Sequence, residues 1–434
     1  MRDLGMLVIL PFILYTSFKR PFIALGLWLW SSAISLNGLV YGMAGSIPFA
    51  KLFAGVTILS FFISKERSVL KIEALSFFII LFYISATISN FFCIGDPVLA
   101  WERWGVFSKI LLFYFFAVAI VNKKNHFDLL AWILIISIGA LSSKEGVKFL
   151  ISGGSHRIGY LAGITGDNNF FGVMIVTVIP LACYIFTQTH HKILKVGVLA
   201  VILFMILGIF STFSRGAFLG LAVFAITFWK SSDKKILWLI ALIVIVFSLN
   251  NLMPETWLSR MDTVESADQD SSFMGRVVAW KIATLIAIDN FWGGGFKAVE
   301  NLLVWQYYGE QFYKLDFIVS PDAFPFFKAT HSIYFQVLSN HGFIGLLLFL
   351  MMLLTAYIKA LKTTSRAKKH DLDSWVIMLS KMLKLSLVTY CVSGAAVNVA
   401  YFDFLYAILA MIVALDRITK EMQQKTNSHK SPLN

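Results

Sequence analysis

His331, Arg215 and Arg276 are the residues whose types and settings could do chemistry. His331 stands where a long polar segment meets an apolar run, in His331-Ser332-Ile333-Tyr334-Phe335-Gln336. Arg215 opens another apolar run, in Phe213-Ser214-Arg215-Gly216-Ala217-Phe218-Leu219. Arg276 begins an amphipathic stretch within the polar segment, Gly275-Arg276-Val277-Val278-Ala279-Trp280. A neutral imidazole, with a pKa of about 6.5, can take a proton from a hydroxyl. A guanidinium fork can grip phosphate oxygens in pairs. Further polar groups sit at comparable boundaries: Asp167, Asn168 and Asn169 at the start of one run, with Arg157 in the stretch before it, and Arg103 ahead of Lys109 in another. Each has a plain structural reading as well. Boundary arginines snorkel to water or lipid phosphate, a single boundary histidine is commonly structural, and Asn169 can serve a helix cap.

These side chains need a scaffold, and composition says which kind. Of 434 residues, 58% are hydrophobic and only 14% are charged, against about a quarter charged in a soluble domain. Mean hydropathy is +0.76. Apolar runs recur at 4–17, 22–38, 47–64, 72–92, 104–121, 127–143, 169–187, 193–212, 216–229, 236–249, 331–361, 376–396 and 403–416. Most are long enough to cross a bilayer. The fold class expected is all-α: a polytopic membrane bundle of 12–13 transmembrane helices, the first run being either a tilted span or a partly inserted hairpin. The first run leads to Lys19-Arg20 and another span, so no cleavable signal peptide is expected. The cysteines Cys93, Cys183 and Cys391 lie in or beside apolar runs, which argues against a disulfide framework.

The net charge of +13 does not point to nucleic acid, because the excess falls in short loops between spans. Clusters at Lys19-Arg20, Lys65 to Lys71, Lys123-Lys124, His190 to Lys192, Lys230 to Lys235, Arg366 to Lys369 and from Arg417 onward occupy alternate loops and read as cytoplasmic. The opposite face then carries Asp96 to Arg103, Ser152 to Asn168, Ser211 to Arg215, the long loop and Asn398 to Phe402. All the candidate residues share that face. The chain divides into N-terminal spans (1–249), the long outer loop (250–330), C-terminal spans (331–418) and a polar tail (419–434) expected to be disordered on the cytoplasmic side.

The outer loop is unlike the others: from Asn250 to Thr330 it holds ten Asp and Glu against six Lys and Arg. Asp268-Gln269-Asp270 reads as a solvated acidic turn. Trp280, Ile282, Leu285 and Ile286 lie on the apolar side of the stretch that Arg276 opens, a pattern that suits a helix lying in the membrane interface. After His331, helical spacing puts Tyr334, Phe335, Leu338, Gly342 and Gly345 on one face, the glycines allowing close helix approach. His341 falls on a different face, deeper in the span. Lys109 lies under two helical turns from Arg103 and could line the same outward cavity. Lys144 and Glu145 are adjacent, hence on different faces, and need not pair.

Together these residues resemble the O-antigen ligase and polymerase superfamily of bacterial envelope glycosyltransferases. The resemblance rests on His331-Ser332 followed by Gly342 and Gly345, on Arg215 with Leu219, on Arg276 with Trp280, and on the turn Trp292-Gly293-Gly294-Gly295-Phe296. A narrower similarity is to O-glycosylation ligases associated with exosortase systems, carried by Lys19-Arg20-Pro21-Phe22-Ile23, Leu27-Trp28-Leu29-Trp30, Pro48-Phe49-Ala50 and Gly166-Asp167-Asn168-Asn169-Phe170; Ser35-Leu36-Asn37-Gly38-Leu39 departs from that group's usual continuation. The resemblance implies transfer of a glycan from a polyprenyl-pyrophosphate carrier to a lipid, glycan or protein acceptor hydroxyl. It places the protein in a bacterial inner membrane with its site facing the periplasm, and it implies neither metal nor cofactor. Arg215 and Arg276 would hold pyrophosphate and His331 would act as general base. Asp167, Asn168, Arg157, Arg103, Lys109, Tyr334 and Trp280 would bind substrate. A polymerase would use the same three residues on a growing glycan. A lipid-linked glycan transporter is the competing class, but no internal repeat is apparent and the polar groups gather at one face.

Overall fold

A computed structural model describes residues 2–34, 36, 42–64, 72–159, 167–231 and 271–430. The expected run at 236–249, the cluster Lys65 to Lys71 and the acidic turn at Asp268 lie outside these residues. Every regular element among them is helical. Among the described residues seven helices are long and apolar enough to cross a membrane: Ala74–Phe91, Pro97–Ile120, Lys124–Ile151, Asn168–Gln188, Lys192–Ser211, Ile333–Lys369 and Ser374–Gly394. Shorter apolar helices at Gly5–Lys19, Pro21–Ala33 and Phe49–Ile63 cover the first three runs. Arg215–Ser231 and Asp403–Lys430 account for the runs at 216 and 403. The bundle is the expected all-α membrane fold.

Burial sorts these helices. Asn168–Gln188 is apolar all round and is the most enclosed, flanked by Ser374–Gly394, Arg215–Ser231 and Lys192–Ser211, as expected of a central helix. Outer helices turn Phe62, Ile63, Ile193, Leu203, Leu347 and Leu354 outward. Lys124–Ile151 passes through a π-turn at Ile135–Gly139 and then meets Lys192–Ser211 through small residues. A Cβ on Gly146 would stand 2.4 Å from the Phe204 carbonyl oxygen, and one on Gly208 would stand 2.1 Å from Ser142 Oγ. Backbones therefore touch where side chains are missing. Glu145, on the same helix, takes its short contacts from Lys148 at 2.9 Å and His156 at 2.7 Å, while the adjacent Lys144 Nζ stands at 3.9 Å.

The C-terminal tail departs from expectation. The helix that begins at Asp403 does not stop near residue 416 but continues to Lys430. Buried Asp416 accepts from Arg366 at 2.5 Å, Lys420 at 2.8 Å and Lys359 at 3.0 Å. Arg417 donates to the carbonyls of Val118 and Val121, each at 2.8 Å, closing the C-terminal end of Pro97–Ile120. These contacts tie the start of the tail to two neighbouring helices, Ile333–Lys369 and Pro97–Ile120, so the polar composition that suggests disorder is countered by specific pairing.

The long loop has its own core. Ser271–Asp289 packs Val278, Ile282, Leu285 and Ile286 against Val299, Val304, Trp305 and Leu315. Ile282, Leu285 and Ile286 are fully buried, so the apolar side expected to lie in the membrane interface is covered by protein instead. The loop meets the bundle at a break in Ile333–Lys369. That helix is interrupted at His341 (φ −129°) and Gly342 (φ +63°, ψ −167°). The turn of Gly293 to Gly295 plugs the break: Gly294 N–H donates to Ser339 O at 2.8 Å, and Gly295 N–H donates to Asn340 O at 2.9 Å. These are carbonyls that the interrupted helix would otherwise leave unsatisfied. Gly342 is thus not a small residue on a continuous helix face. A Cβ there would lie 2.5 Å from the Phe291 carbonyl oxygen, and one on Gly293 (φ +80°) would lie 2.3 Å from Gly342 N. Gly345 makes room for the His341 side chain, whose Cβ would be 2.2 Å from its own.

Both a forbidden backbone region and a steric overlap oppose any side chain at Gly342. Gly342→Ala should therefore lower the thermal midpoint of the solubilised protein clearly, its backbone strain alone costing about 1–3 kcal/mol. Gly55→Ala, where a Cβ meets nothing within 4 Å, should leave the midpoint unchanged. Equal midpoints for Gly342→Ala and wild type would show that the plugged break is not a structural keystone.

Candidate functional site

His331 lies two residues before the broken helix, with φ +44°. A non-glycine residue rarely sits in that region, and here both neighbours are clamped. Trp280 Nε1–H donates to Thr330 O at 2.7 Å. Thr330 Oγ1–H donates to Asn398 Oδ1 at 2.6 Å, and Ser332 N–H donates to the same oxygen at 3.0 Å. Trp280 also stacks on Phe335, with ring centroids 4.9 Å apart and planes within 8°. The loop helix, the C-terminal loop and the long helix thus converge on one imidazole. Trp280 acts here as a clamp on the histidine segment.

A cavity of about 330 Å³ opens at His331 and is lined also by Arg276, Lys328, Gly275, Ala329 and Asn169. Two cations and the imidazole therefore share one space. Lys328 was not singled out from the sequence. Its ammonium lies 4.0 Å over the Phe324 ring, and a Cβ on Gly275 would come within 2.5 Å of it. Burial holds the His331 pKa below its usual value near 6.5, the Arg276 cation pushes the same way and Lys328 adds to it; Asp167 and Glu300 pull in the opposite direction. The imidazole is consequently neutral at neutral pH, which is the form a general base needs.

The other candidates divide. Asp167 caps Asn168–Gln188 by accepting from Phe170 N–H at 2.8 Å, and its charge is felt at His331. Asn168 Nδ2 donates to Thr212 O at 2.6 Å and so fixes the neighbouring helix end, while Asn169 is the residue that lines the cavity. Arg215 is half-buried at the start of its helix and is not among the lining residues. Its first turn packs where Cβ atoms on Gly172 and Gly216 would meet Ala217 and Ala396 at 2.6 and 2.8 Å, joining it to the helix start that carries Asn169 and to the segment that leads to Asn398. Arg103 lines a second chamber and Lys109 a third that adjoins it along Ser32, Val106, Ile110 and Asp403. Arg157 lies 5.9 Å over the Phe213 ring. Tyr334 donates to the Cys391 carbonyl at 3.0 Å inside the bundle. Neither Arg157 nor Tyr334 reaches the His331 cavity.

His341 is deeper than His331, as its spacing suggests, but it is no bystander. It is fully buried, with Nδ1 2.6 Å from Ser89 Oγ and Nε2 2.7 Å from Tyr401 OH. It braces the helix break and the chamber wall together. Sequence periodicity alone holds no trace of this, because the two partners come from a helix and a turn far away in the chain.

The imidazole sits between opposing charges, and this gives a direct test. A nearby cation disfavours imidazolium, so Arg276→Gln should raise the His331 pKa. A nearby anion favours imidazolium, so Asp167→Asn should lower it. The pH dependence of His331 acylation by diethyl pyrocarbonate, followed by peptide mass spectrometry, should show a midpoint below 6.5 in the wild type and opposite displacements in the two variants. Displacement in the same direction would refute this electrostatic arrangement.

Residues 1–190 match a family of unknown function (DUF5935). No curated protein matches the chain. Residues 200–350 match the O-Antigen ligase family model, and Arg215, Arg276, Lys328 and His331 all fall inside that segment. The chain is therefore a multi-pass membrane protein with a segment similar to the O-Antigen ligase family, and that segment holds the histidine and arginines on which the resemblance rests.

Proposed function

We propose that this protein transfers a glycan from a polyprenyl-pyrophosphate carrier to an acceptor hydroxyl on the periplasmic face of a bacterial inner membrane. The observation that carries the reading is the shared cavity of Arg276, Lys328, Asn169 and a neutral His331. The location of Arg276, Lys328 and His331 within the O-antigen ligase match supports it. The acceptor oxygen attacks the anomeric carbon while the bond from that carbon to the pyrophosphate oxygen breaks. The hydroxyl proton passes to the His331 imidazole, and polyprenyl pyrophosphate departs. Negative charge grows on the departing oxygen, where Arg276 and Lys328 face it and Arg215 lies at the adjoining helix start. Fixed cations facing developing charge are an effective form of transition-state stabilisation. Trp280 and Asn398 position the histidine and touch no reacting atom.

The test uses purified protein in lipid nanodiscs with radiolabelled lipid-linked glycan. His331→Ala should retain the donor and lose turnover by about 10²–10⁴-fold. Arg276→Ala should lose donor binding as well as turnover, and Arg276→Lys should fall between it and wild type because a single ammonium cannot form the bidentate fork. Wild-type turnover by His331→Ala at matched donor occupancy would remove the base from this scheme. His341→Ala is unsuitable as a neutral control, since its imidazole braces Ser89 and Tyr401.

A further inference from the structure

Past Ala329, which lines both spaces, the His331 cavity borders a second chamber of about 460 Å³. This volume is typical of small-molecule sites, roughly 300–1,000 Å³. Its wall offers partly exposed rings, Phe170 and Tyr401, beside the polar groups of Arg103, Gln336, Glu300 and Asp403. Several of these groups are set in place. Gln336 Oε1 accepts from Ala400 N–H at 3.1 Å, which leaves its amide donors unclaimed among the described residues. Tyr401 OH is held by His341 at 2.7 Å and by Asn340 Nδ2 at 3.2 Å. Glu300 is ion-paired with Lys297. Ring faces set beside both donors and acceptors suit a molecule that has apolar C–H faces and hydroxyls that each donate and accept. The carboxylates of Glu300 and Asp403 balance the cations of Arg103 and Lys297, so the chamber does not suit a pyrophosphate.

We infer that this chamber is a saccharide subsite, holding the sugar whose hydroxyl is presented to His331 past Ala329. The pyrophosphate occupies the cationic cavity on one side of Ala329 and the incoming sugar the uncharged-on-balance chamber on the other. The role of acceptor rests on the transfer reaction proposed above; the binding of saccharide does not.

Val106, which also lines the third chamber, and Glu300 both line this chamber, and neither lines the His331 cavity. Tritiated oligosaccharides, released by mild acid from the host envelope, would be dialysed to equilibrium against wild type, Val106→Trp and Glu300→Gln. Farnesyl pyrophosphate, titrated separately, reports on the cationic cavity. Both variants should weaken oligosaccharide binding by about tenfold or more, as expected for a blocked site or a lost charged hydrogen bond, with farnesyl pyrophosphate affinity preserved. In the transfer assay Val106→Trp should raise the acceptor KM with little change in kcat. Oligosaccharide binding that is absent from the wild type, or equal in all three proteins, would overturn the subsite. Loss of farnesyl pyrophosphate instead would reassign the chamber to the donor and overturn it too. Variant-sensitive saccharide binding in a wild type that transfers nothing would sink the transfer reaction and the acceptor role together, which distinguishes that failure from failure of the subsite.

Discussion

A helix inside a bilayer cannot be broken unless the backbone groups it frees find other partners, because no water is there to take them. The interruption at His341 and Gly342 meets this condition with the amides of Gly294 and Gly295. Much else depends on that exchange. The same turn is pinned from the other side, with Ile94 N–H donating to Gly294 O at 3.1 Å and Phe296 N–H donating to Asn90 Oδ1 at 3.2 Å. The loop is thereby fastened between two membrane helices. Its own small core then carries Arg276 and Trp280 to fixed positions above the bundle.

From that anchor the site assembles by short steps. Trp280 and Asn398 grip the residues on either side of His331 and hold it in a left-handed conformation that an unclamped chain would leave. Strain of this kind persists only where the surroundings over-determine it. The imidazole so placed is half-buried beside a guanidinium and an ammonium, and it stays neutral for that reason. One arrangement therefore supplies both a cationic surface and a base. Under the proposed reaction those are the two groups the chemistry needs most.

The sequence made the membrane class and the candidate end of the bundle legible, because hydropathy and loop charge report on solvent, and solvent decides both. It also singled out His331 and Arg276, since a lone imidazole and a lone guanidinium at a polar boundary stand out in an apolar chain. What periodicity misread was the stretch from Tyr334 to Gly345. Helical spacing presumes an unbroken helix, whereas Gly342 stands at φ +63°. The break is dictated by residues some fifty positions earlier in the chain, at Gly293, and no local pattern reports such a contact. Lys328 escaped notice for a related reason: a single lysine in a polar loop looks solvated until Phe324 and Gly275 are seen beneath it. In the tail, composition suggested disorder, and only the pairing of Asp416 with Arg366, Lys359 and Lys420 shows why a helix persists.

The central claim is that the cavity shared by Arg276, Lys328 and His331 receives a pyrophosphate. The most direct measurement is a structure of the protein in lipid bound to a non-cleavable phosphonate analogue of the lipid-linked donor. The account predicts analogue phosphate oxygens within about 3.2 Å of the Arg276 guanidinium, with the anomeric carbon turned toward the His331 imidazole. Analogue phosphate seated instead beside Lys51 and Lys109, in the third chamber, with the His331 cavity empty, would contradict it.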